Sequence, residues 1–186
     1  TQAGLYAHFT SLAEAVPDLP IMLYNVPGRT GVSLSIETVC RLARQSSVVA
    51  LKDAGANLAY TSRVIAECGD DITVLSGDDI TALPTWAVGG RGVVSVSSNL
   101  IPARMVRLWQ AFEDGNLAEA QAINAKLLPL FEGLFLETNP IPVKAITARY
   151  TGLCSSELRL PLTGPSAPTL ETLEALCKRL EIEQNS

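Results

Sequence analysis

The sequence predicts an α/β fold: the second half of a (β/α)8 barrel, about four βα units, followed by a helical extension. Four short apolar runs begin at residues 21, 48, 72 and 92, with amphipathic helical segments between them. None of the runs alternates cleanly between apolar and polar residues, which is typical of strands buried on both faces of a parallel sheet. No glycine-rich phosphate loop joins a run to its helix, so a closed barrel is favoured over an open doubly wound sheet.

The predicted elements of this half-barrel follow one another in βα order. Strands are expected at residues 21–26, 48–52, 72–76 and 92–97. A helix before the first strand should end at Pro17, because proline cannot continue a helix. The later helices are expected to begin at polar N-caps, which are Ser33 or Ser35, Asn57 and Asp79. The third of them should end at Gly89 and Gly90.

Beyond Pro102 the pattern contains only helices. They are expected at residues 102–112, 117–135, 142–150 and 169–180, and Pro129 should bend the second of them. We therefore expect two domains, a half-barrel at residues 1–100 and a helical domain at residues 101–186. A barrel needs eight strands, so the chain is expected to be a portion of a larger barrel.

Composition excludes several classes of protein. The chain has 186 residues, is 47% hydrophobic and carries a net charge of −5. That apolar content is sufficient for a core, and the scattered basic residues offer no surface for nucleic acid or an acidic membrane. No apolar stretch approaches the ~20 residues that span a bilayer. The first residues lack the features of a signal peptide, so an intracellular chain is expected.

The cysteines suggest neither a metal site nor a disulfide framework. Cys40, Cys68, Cys154 and Cys177 form no C-x-x-C pair, and His8 is the single histidine. A zinc site is therefore not expected. Four cysteines allow two disulfides, but free thiols are the expected state in an intracellular chain.

Lys52 is the main candidate for catalysis. It ends an apolar strand, and in a barrel the carboxyl ends of the strands line the active site. Partial removal from water favours the neutral amine, which can attack a ketone and form a Schiff base. The alternative is a lysine that extends its amine into solvent from a loop.

Two further candidates lie near the end of the preceding strand. Tyr24 is at the matching level, where a phenol can relay protons, and the alternative is an ordinary core tyrosine. Arg29 lies in the tight turn at residues 25–31. It can hold a carboxylate through two hydrogen bonds, and the alternative is a surface arginine.

The last two predicted strands contribute backbone groups at the barrel mouth. Gly77 allows the backbone to approach a ligand closely, whereas Asp78 and Asp79 are expected to cap the next helix. The fourth strand, with Val94, should present backbone groups and small side chains there.

Several motifs, in order along nearly the whole chain, resemble those of the dihydrodipicolinate synthase family. Residues 23–31 resemble its Y-N-x-P-x-R-T-G loop, and residues 49–53 resemble its lysine-bearing strand. Further matches are the L-S-G-D-D, G-V-V-S-V, N-P-I-P-V-K and R-L-P-L-T segments at residues 75–79, 92–96, 139–144 and 159–163.

The resemblance implies condensation of pyruvate with L-aspartate-4-semialdehyde to 4-hydroxy-tetrahydrodipicolinate, in lysine biosynthesis. Pyruvate would form an imine on Lys52, Tyr24 would relay protons, and Arg29 would hold the carboxylate of the semialdehyde. The carbonyl of Val94 would border pyruvate. The family is cytoplasmic and usually a homotetramer, a dimer of dimers. It needs no metal or organic cofactor, because the imine is the electron sink.

The chain also departs from the family pattern. After Lys52 the family often reads E-A-T-G-N, whereas residues 53–57 read D-A-G-A-N, so the local turn is expected to differ. The family's threonine pair and a further relay tyrosine are not in this chain, so little turnover is expected from it alone. Arg29 favours the semialdehyde-condensing enzyme over sialic-acid lyases. A lyase for another 2-oxo acid and an inactive half-barrel remain the alternatives.

Overall fold

The computed structural model describes residues 1–183, which form two compact units, Thr1–Val94 and a second that begins at Ser95. The first unit contains α1 (Gln2–Ala15), β1 (Ile21–Asn25), α2 (Pro27–Thr30), α3 (Ile36–Ala43), β2 (Val48–Asp53), α4 (Leu58–Cys68), β3 (Thr73–Ser76) and α5 (Ala82–Ala87). The second contains α6 (Pro102–Glu113), α7 (Leu117–Gly133), α8 (Ile141–Thr151) and α9 (Ala167–Arg179). Short 3-10 helices lie at Gly69–Asp71 and Ser97–Asn99.

The first unit is built on a parallel sheet in the order β1-β2-β3. This confirms the first three predicted strands and their βα order. The register pairs Tyr24 with Lys52 and Asn25 with Asp53 between β1 and β2. Between β2 and β3, the register pairs Asp53 with Ser76. The carboxyl ends of the strands therefore lie level with one another.

The two faces of this sheet have different surroundings. Leu23, Leu51 and Val74 point to one face and are buried in a core that α3 and α4 complete. Because successive side chains of a strand point to opposite faces, Tyr24 and Lys52 lie on the other face. There Tyr24 is 43% exposed and Lys52 is half-buried. The helices thus cover one face, and the candidate residues Tyr24 and Lys52 lie on the opposite one.

The fourth predicted strand, residues 92–97, is wrong as a strand. It is reduced to one parallel bridge between Ser76 and Val93, and the chain then turns into the 3-10 helix Ser97–Asn99. The reason is local hydrogen bonding, since Ser95 Oγ accepts from the backbone N–H of Ser98 at 2.8 Å. Serine side chains that bond to nearby backbone groups compete with strand pairing.

The helix caps agree with the sequence at two positions and differ at a third. Ser35 caps α3 by accepting from the N–H of Thr38, and Asn57 caps α4 by accepting from the N–H of Tyr60. The predicted cap Asp79 is wrong, because α5 begins at Ala82 with Thr81 as its N-cap. In place of a helix cap, Asp78 Oδ1 accepts from the N–H of Ile80 at 3.3 Å and closes a turn.

The expectation of four free thiols is also wrong. Cys40 of α3 and Cys68 at the end of α4 form a disulfide, with their Cα atoms 5.0 Å apart. The two helices contact each other on the same face of the sheet, which brings the two positions into the range that a disulfide needs. Cys154 and Cys177 are free, as expected.

The second unit is helical, and α6 to α9 confirm the four predicted helices. Pro129 lies inside α7. The largest fully buried side chains of the second unit are apolar and lie on or next to these helices: Leu108, Leu127, Leu130, Phe131, Leu134, Ile146, Leu173 and Leu180. Among residues 1–183, no helix is both long and apolar enough to cross a bilayer.

Candidate active site

Lys52 and Tyr24 form a contact at the carboxyl ends of two neighbouring parallel strands. Their Cα positions are paired in the register of β1 and β2. The Nζ atom of Lys52 lies over the Tyr24 ring, 4.1 Å from its centroid. An ammonium at this distance is attracted by the negative face of the ring. The amine is therefore held on the open face of the sheet beside the phenol, and not extended alone into solvent.

The next residues of the same strands, Asn25 and Asp53, form a buried cluster on the opposite face. Asn25 Nδ2 donates to Asp53 Oδ1 at 2.9 Å, and Asn25 Oδ1 accepts from the N–H of Leu34 at 3.1 Å. Asp53 Oδ1 also accepts from the N–H of Gly55 at 3.1 Å. Thr61 donates its hydroxyl to Asp53 Oδ2 at 2.7 Å. The cluster joins β1, β2 and α4 directly behind the Lys52–Tyr24 pair.

Gly77 follows β3 and packs against the loop after Lys52. Its N–H donates to the carbonyl of Asp53 at 2.7 Å. A Cβ built on Gly77 would lie 2.6 Å from the Cβ of Ala54 and 3.1 Å from the Ala54 Cα. No side chain fits there, so this glycine is required for the close approach of two loops at the end of the sheet. Its proposed approach to a ligand stays a prediction.

Val94 is tied to the same end of the sheet through its backbone. Its N–H donates to the carbonyl of Ser76 at 2.8 Å, and the N–H of Ser76 donates to the carbonyl of Gly92 at 3.0 Å. These bonds extend the parallel hydrogen-bonding pattern sideways from β3 to the backbone of Gly92 and Val94. The predicted role of the Val94 carbonyl beside pyruvate stays a prediction.

Arg29 lies on the short helix α2, which begins two residues after β1 ends. Its backbone N–H donates to the carbonyl of Val26 at 2.9 Å, and Gly31 ends the helix in the left-handed conformation at φ 71°. The turn therefore presents an exposed arginine at the same end of the sheet as Lys52. Its role toward a carboxylate stays a prediction.

The turn after Lys52 contains a non-glycine residue in the left-handed region. Ala56 has φ 51°, a conformation that costs a residue with a Cβ about 1 kcal/mol or more. The family pattern places its glycine at this position, whereas this chain has glycine one residue earlier, at Gly55. The Cβ of a residue at 55 would lie 3.2 Å from Asp53 Oδ1, so Gly55 leaves room for that carboxylate.

Two further ionisable groups near the strand ends have shifted pKa values. Burial raises the pKa of the Asp78 carboxyl. The backbone hydrogen bond from Ile80 lowers this pKa, and the charge of Asp79 raises it. Burial, and then the charge of Asp53, raise the pKa of the Tyr60 phenol, which donates to the carbonyl of Leu34 at 2.8 Å. Tyr60 is therefore a neutral hydrogen-bond donor. No group of three or more His, Cys, Asp or Glu residues within residues 1–183 is placed to hold a metal ion.

With this geometry in place, the comparisons with known proteins decide the family. Residues 1–180 match the dihydrodipicolinate synthetase family. The chain belongs to this family. A 4-hydroxy-tetrahydrodipicolinate synthase from Geobacter sp. (strain M21) is 47% identical over 182 residues, which are 98% of this chain and 62% of that protein. The predicted family is therefore confirmed.

Solved structures of dihydrodipicolinate synthases give the same result. The enzyme from Aquifex aeolicus superposes with a TM-score of 0.95 and 39% identity, over 100% of this chain and 63% of that one. The chloride-inhibited enzyme from Acinetobacter baumannii complexed with pyruvate gives a TM-score of 0.91 and 39% identity, over 98% and 62%. The predicted fold, the second half of a (β/α)8 barrel followed by helices, is confirmed. The chain spans about three fifths of the length of these relatives.

The buried residues behind the candidate pair, Asn25, Asp53 and Thr61, were not predicted to be functional. Asn25 belongs to the Y-N-x-P-x-R-T-G loop and Asp53 to the segment that departs from the family pattern, and neither pattern indicates a buried hydrogen bond. A usable signal was present, because a polar residue follows the candidate residue directly on two neighbouring strands, at Asn25 and at Asp53. Equal spacing from the strand ends predicts that two such residues are paired across a parallel sheet.

Proposed function

We propose that this chain carries the Schiff-base site of a 4-hydroxy-tetrahydrodipicolinate synthase, a lyase that condenses pyruvate with L-aspartate-4-semialdehyde. The name of the Geobacter relative supports this reaction over that of the related 2-oxo acid lyases. The one observation that carries the proposal is the contact between Lys52 and Tyr24. It pairs an amine with a phenol at the carboxyl end of parallel strands, which is where barrel enzymes place their catalytic groups.

The Lys52 amine performs the covalent step. Its neutral form attacks the ketone carbon of pyruvate, the ketone oxygen gains a proton, and loss of water from the carbinolamine leaves an imine. Removal of a proton from the methyl carbon then gives an enamine, whose carbon attacks the aldehyde of the second substrate. Tyr24 lies beside the nitrogen and supplies a phenol that can give and take these protons.

The other predicted site residues bind and orient the substrates. Arg29, exposed on α2 at the same end of the sheet, binds the carboxylate of the semialdehyde through two hydrogen bonds. Gly77 and the carbonyl of Val94 border pyruvate. Their backbone ties to Asp53 and Ser76 support this placement, because these ties hold both residues at the strand ends.

The assembly and location of the protein are part of the proposal. The Acinetobacter enzyme is described as complexed with pyruvate, which supports pyruvate as the first substrate. The family resemblance supports a cytoplasmic homo-oligomer, a tetramer made of two dimers, in which the imine replaces any metal or organic cofactor.

Borohydride trapping tests the proposed Schiff base. The chain is incubated with pyruvate and borohydride, and peptide mass spectrometry locates the reduced adduct. We expect one adduct, on Lys52, because a lysine held at the strand ends forms the imine that borohydride reduces. Lys52→Gln should abolish it, whereas Lys178→Gln, on the last turn of α9, should leave it unchanged.

Two outcomes would separate the roles of the residues. Arg29→Ala should leave the trapping of pyruvate on Lys52 intact, because imine formation does not use the guanidinium. It should weaken only the binding of the semialdehyde. Adducts spread over several lysines, or no adduct that depends on pyruvate, would contradict the assignment of Lys52.

A further inference from the structure

We propose that the buried Asn25–Asp53–Thr61 cluster positions the Lys52 amine over Tyr24, so that these three are positioning residues of the active site. This inference rests on the proposed function for its catalytic meaning, but the positioning itself can be measured without any reaction. The cluster is defined by the hydrogen bonds of Asn25 Nδ2 and Thr61 Oγ1 to the two carboxylate oxygens of Asp53.

The position of the cluster in the strand register carries the argument. Asn25 and Asp53 are paired residues, one step beyond the pair of Tyr24 and Lys52. Their bond across the strands therefore fixes the spacing and the relative height of the two positions that face the other side. A second tie, from the N–H of Ala54 to the carbonyl of Asn25 at 2.8 Å, continues the same pairing past the ends of the strands.

Burial makes this cluster a strong restraint. Asn25 is 3% exposed and Asp53 is 5% exposed. Three neutral donors, from Asn25, Thr61 and the N–H of Gly55, point at the one carboxylate. A buried polar group that loses its partner carries a desolvation penalty, so the donors and the carboxylate hold one another in a single arrangement. Networks of this kind select one geometry out of several that have similar packing.

The cluster positions the site and does not take part in the reaction. Side chains of adjacent strand residues point to opposite faces, so Asp53 faces α4 whereas Lys52 faces the open side. The contact between Lys52 Nζ and the Tyr24 ring contains no hydrogen bond that would fix its geometry. Its geometry therefore depends on the backbone positions of the two residues, which the cluster sets from behind.

The first experiment measures the position of Lys52 by NMR in this chain. Protons near Nζ lie over the face of the Tyr24 ring, so the ε-methylene of Lys52 should show an upfield ring-current shift. Tyr24→Leu supplies the unshifted reference. Thr61→Val, which keeps the shape of the side chain but removes its hydroxyl, should lose most of the upfield shift. Thr61→Ser, which keeps the hydroxyl, should restore it.

Tyr60→Phe is the matched control. It removes one hydrogen bond to the carbonyl of Leu34 in the same region, but that phenol does not bond to Asp53. The upfield shift should stay at its wild-type value in this variant. An unchanged shift in Thr61→Val, or an equal loss in Tyr60→Phe, would overturn the inference.

A second variant covers the case in which Thr61→Val does not fold. Asn25→Ser removes the donor to Asp53 Oδ1 from the opposite side of the cluster and should produce the same loss of shift. If both variants lose the dispersed spectrum of a folded chain while Tyr60→Phe keeps it, the cluster is a folding element. The positioning role is then overturned.

Borohydride trapping connects the position of the amine to the chemistry. At saturating pyruvate, Thr61→Val should form the Lys52 adduct about tenfold more slowly, because small displacements of reacting groups have large effects on rate. The pyruvate concentration for half-maximal trapping should change by less than about twofold, since a positioning residue does not bind the substrate. Thr61→Ser should trap at the wild-type rate.

The two experiments distinguish the failure of the inference from the failure of the proposed function. If the ring-current shift depends on Thr61 but wild type forms no pyruvate adduct, the proposed function fails and the positioning role stands. If wild type forms the adduct but the shift does not depend on Thr61, the proposed function stands and the inference fails.

Discussion

The two units of this chain bury polar groups in different ways. In the first unit, Asn25, Asp53 and Ser76 are buried and hydrogen-bonded at the strand ends, and buried Thr61 of α4 donates to Asp53. In the second unit, the buried polar residues among those described are Ser97, Thr147 and Thr169. Its ion pairs, Arg107 with Glu119 and Arg149 with Glu174, lie at the surface. The two buried carboxylates among the described residues, Asp53 and Asp79, both lie in the unit that contains the candidate site.

This contrast indicates which region of the chain has the most restricted geometry. A buried polar cluster is stable only when its members keep their partners, whereas apolar helix packing tolerates small shifts. Exposed ion pairs contribute little to stability. The strand ends of the first unit should therefore be more sensitive to substitution than the helices of the second unit.

The largest effect on stability is expected at the disulfide of the first unit. Cys40→Ser opens a link between residues 28 apart in sequence and should lower the free energy of unfolding by about 3–4 kcal/mol, since the link restricts the unfolded chain. Urea unfolding can be followed by the fluorescence of buried Trp86 in a Trp109→Phe background.

The control for this change is in the second unit. Cys154 is an exposed free thiol, so Cys154→Ser should leave the unfolding midpoint unchanged. Dithiothreitol should lower the midpoint of the wild-type chain to that of Cys40→Ser. Equal midpoints for wild type and Cys40→Ser without reductant would show that the disulfide does not stabilise the first unit.

A pair of glycines gives the next largest difference. Gly77→Ala would place a Cβ 2.6 Å from the Ala54 Cβ and 3.1 Å from Ala54 backbone atoms. Because the backbone must shift, it should cost about 2 kcal/mol or more. In α7, Gly133→Ala meets Leu176 Cδ1 at 2.6 Å, a flexible side-chain end, and gains about 1 kcal/mol of helix propensity. Its net effect on the free energy of unfolding should stay within about 1 kcal/mol.

Urea unfolding of both glycine variants tests this comparison, and borohydride trapping adds a functional readout. Gly77→Ala should also reduce the Lys52 adduct, since it displaces the loop after the lysine, whereas Gly133→Ala should not. Equal losses of stability in the two variants would contradict the idea that the strand ends are the more rigid region.

The parts of the fold that the sequence predicted share one physical cause. Strands β1 to β3 follow from continuous apolar runs, and helices α6 to α9 follow from helical periodicity. In these segments the local conformational preference agrees with the pattern of burial. Residues 92–97 do not form a strand because Ser95 forms local hydrogen bonds with Ser98, which a count of apolar residues does not detect.

The parts that could not be predicted depend on which faces of the elements meet. Cys40 and Cys68 both lie on helices, and their pairing requires the packing of α3 against α4. The matching level of Tyr24 and Lys52 was predicted, whereas the approach of Lys52 Nζ to 4.1 Å from the Tyr24 ring centroid depends on side-chain conformations in the folded sheet. The strain at Ala56 was indicated only by the displaced glycine, and its φ of 51° depends on the folded turn.

The smallest effects are expected from two carboxyl groups whose pKa values shift in opposite directions. Burial raises the pKa of Asp78 above its ordinary value of 3.8, the backbone hydrogen bond from Ile80 opposes this rise, and the charge of Asp79 adds to it. The folded state therefore holds a proton more tightly than the unfolded state, and stability falls as pH rises through this range. Asp78→Asn removes the charge, so it should raise the melting temperature at neutral pH and have no such effect in acid.

Glu137 in the second unit supplies the opposite case. Its carboxylate accepts from the backbone N–H and the hydroxyl of Ser166, and these bonds, with a further one from Thr169, lower its pKa below 4.5. The ionised form is therefore favoured by folding, and its contribution is present above the unfolded pKa and lost as pH falls through the folded pKa. Glu137→Gln should lower the melting temperature at neutral pH, with a difference that shrinks in acid. Melting curves of both variants across this range should give differences of opposite sign, and a common sign would contradict the assigned causes.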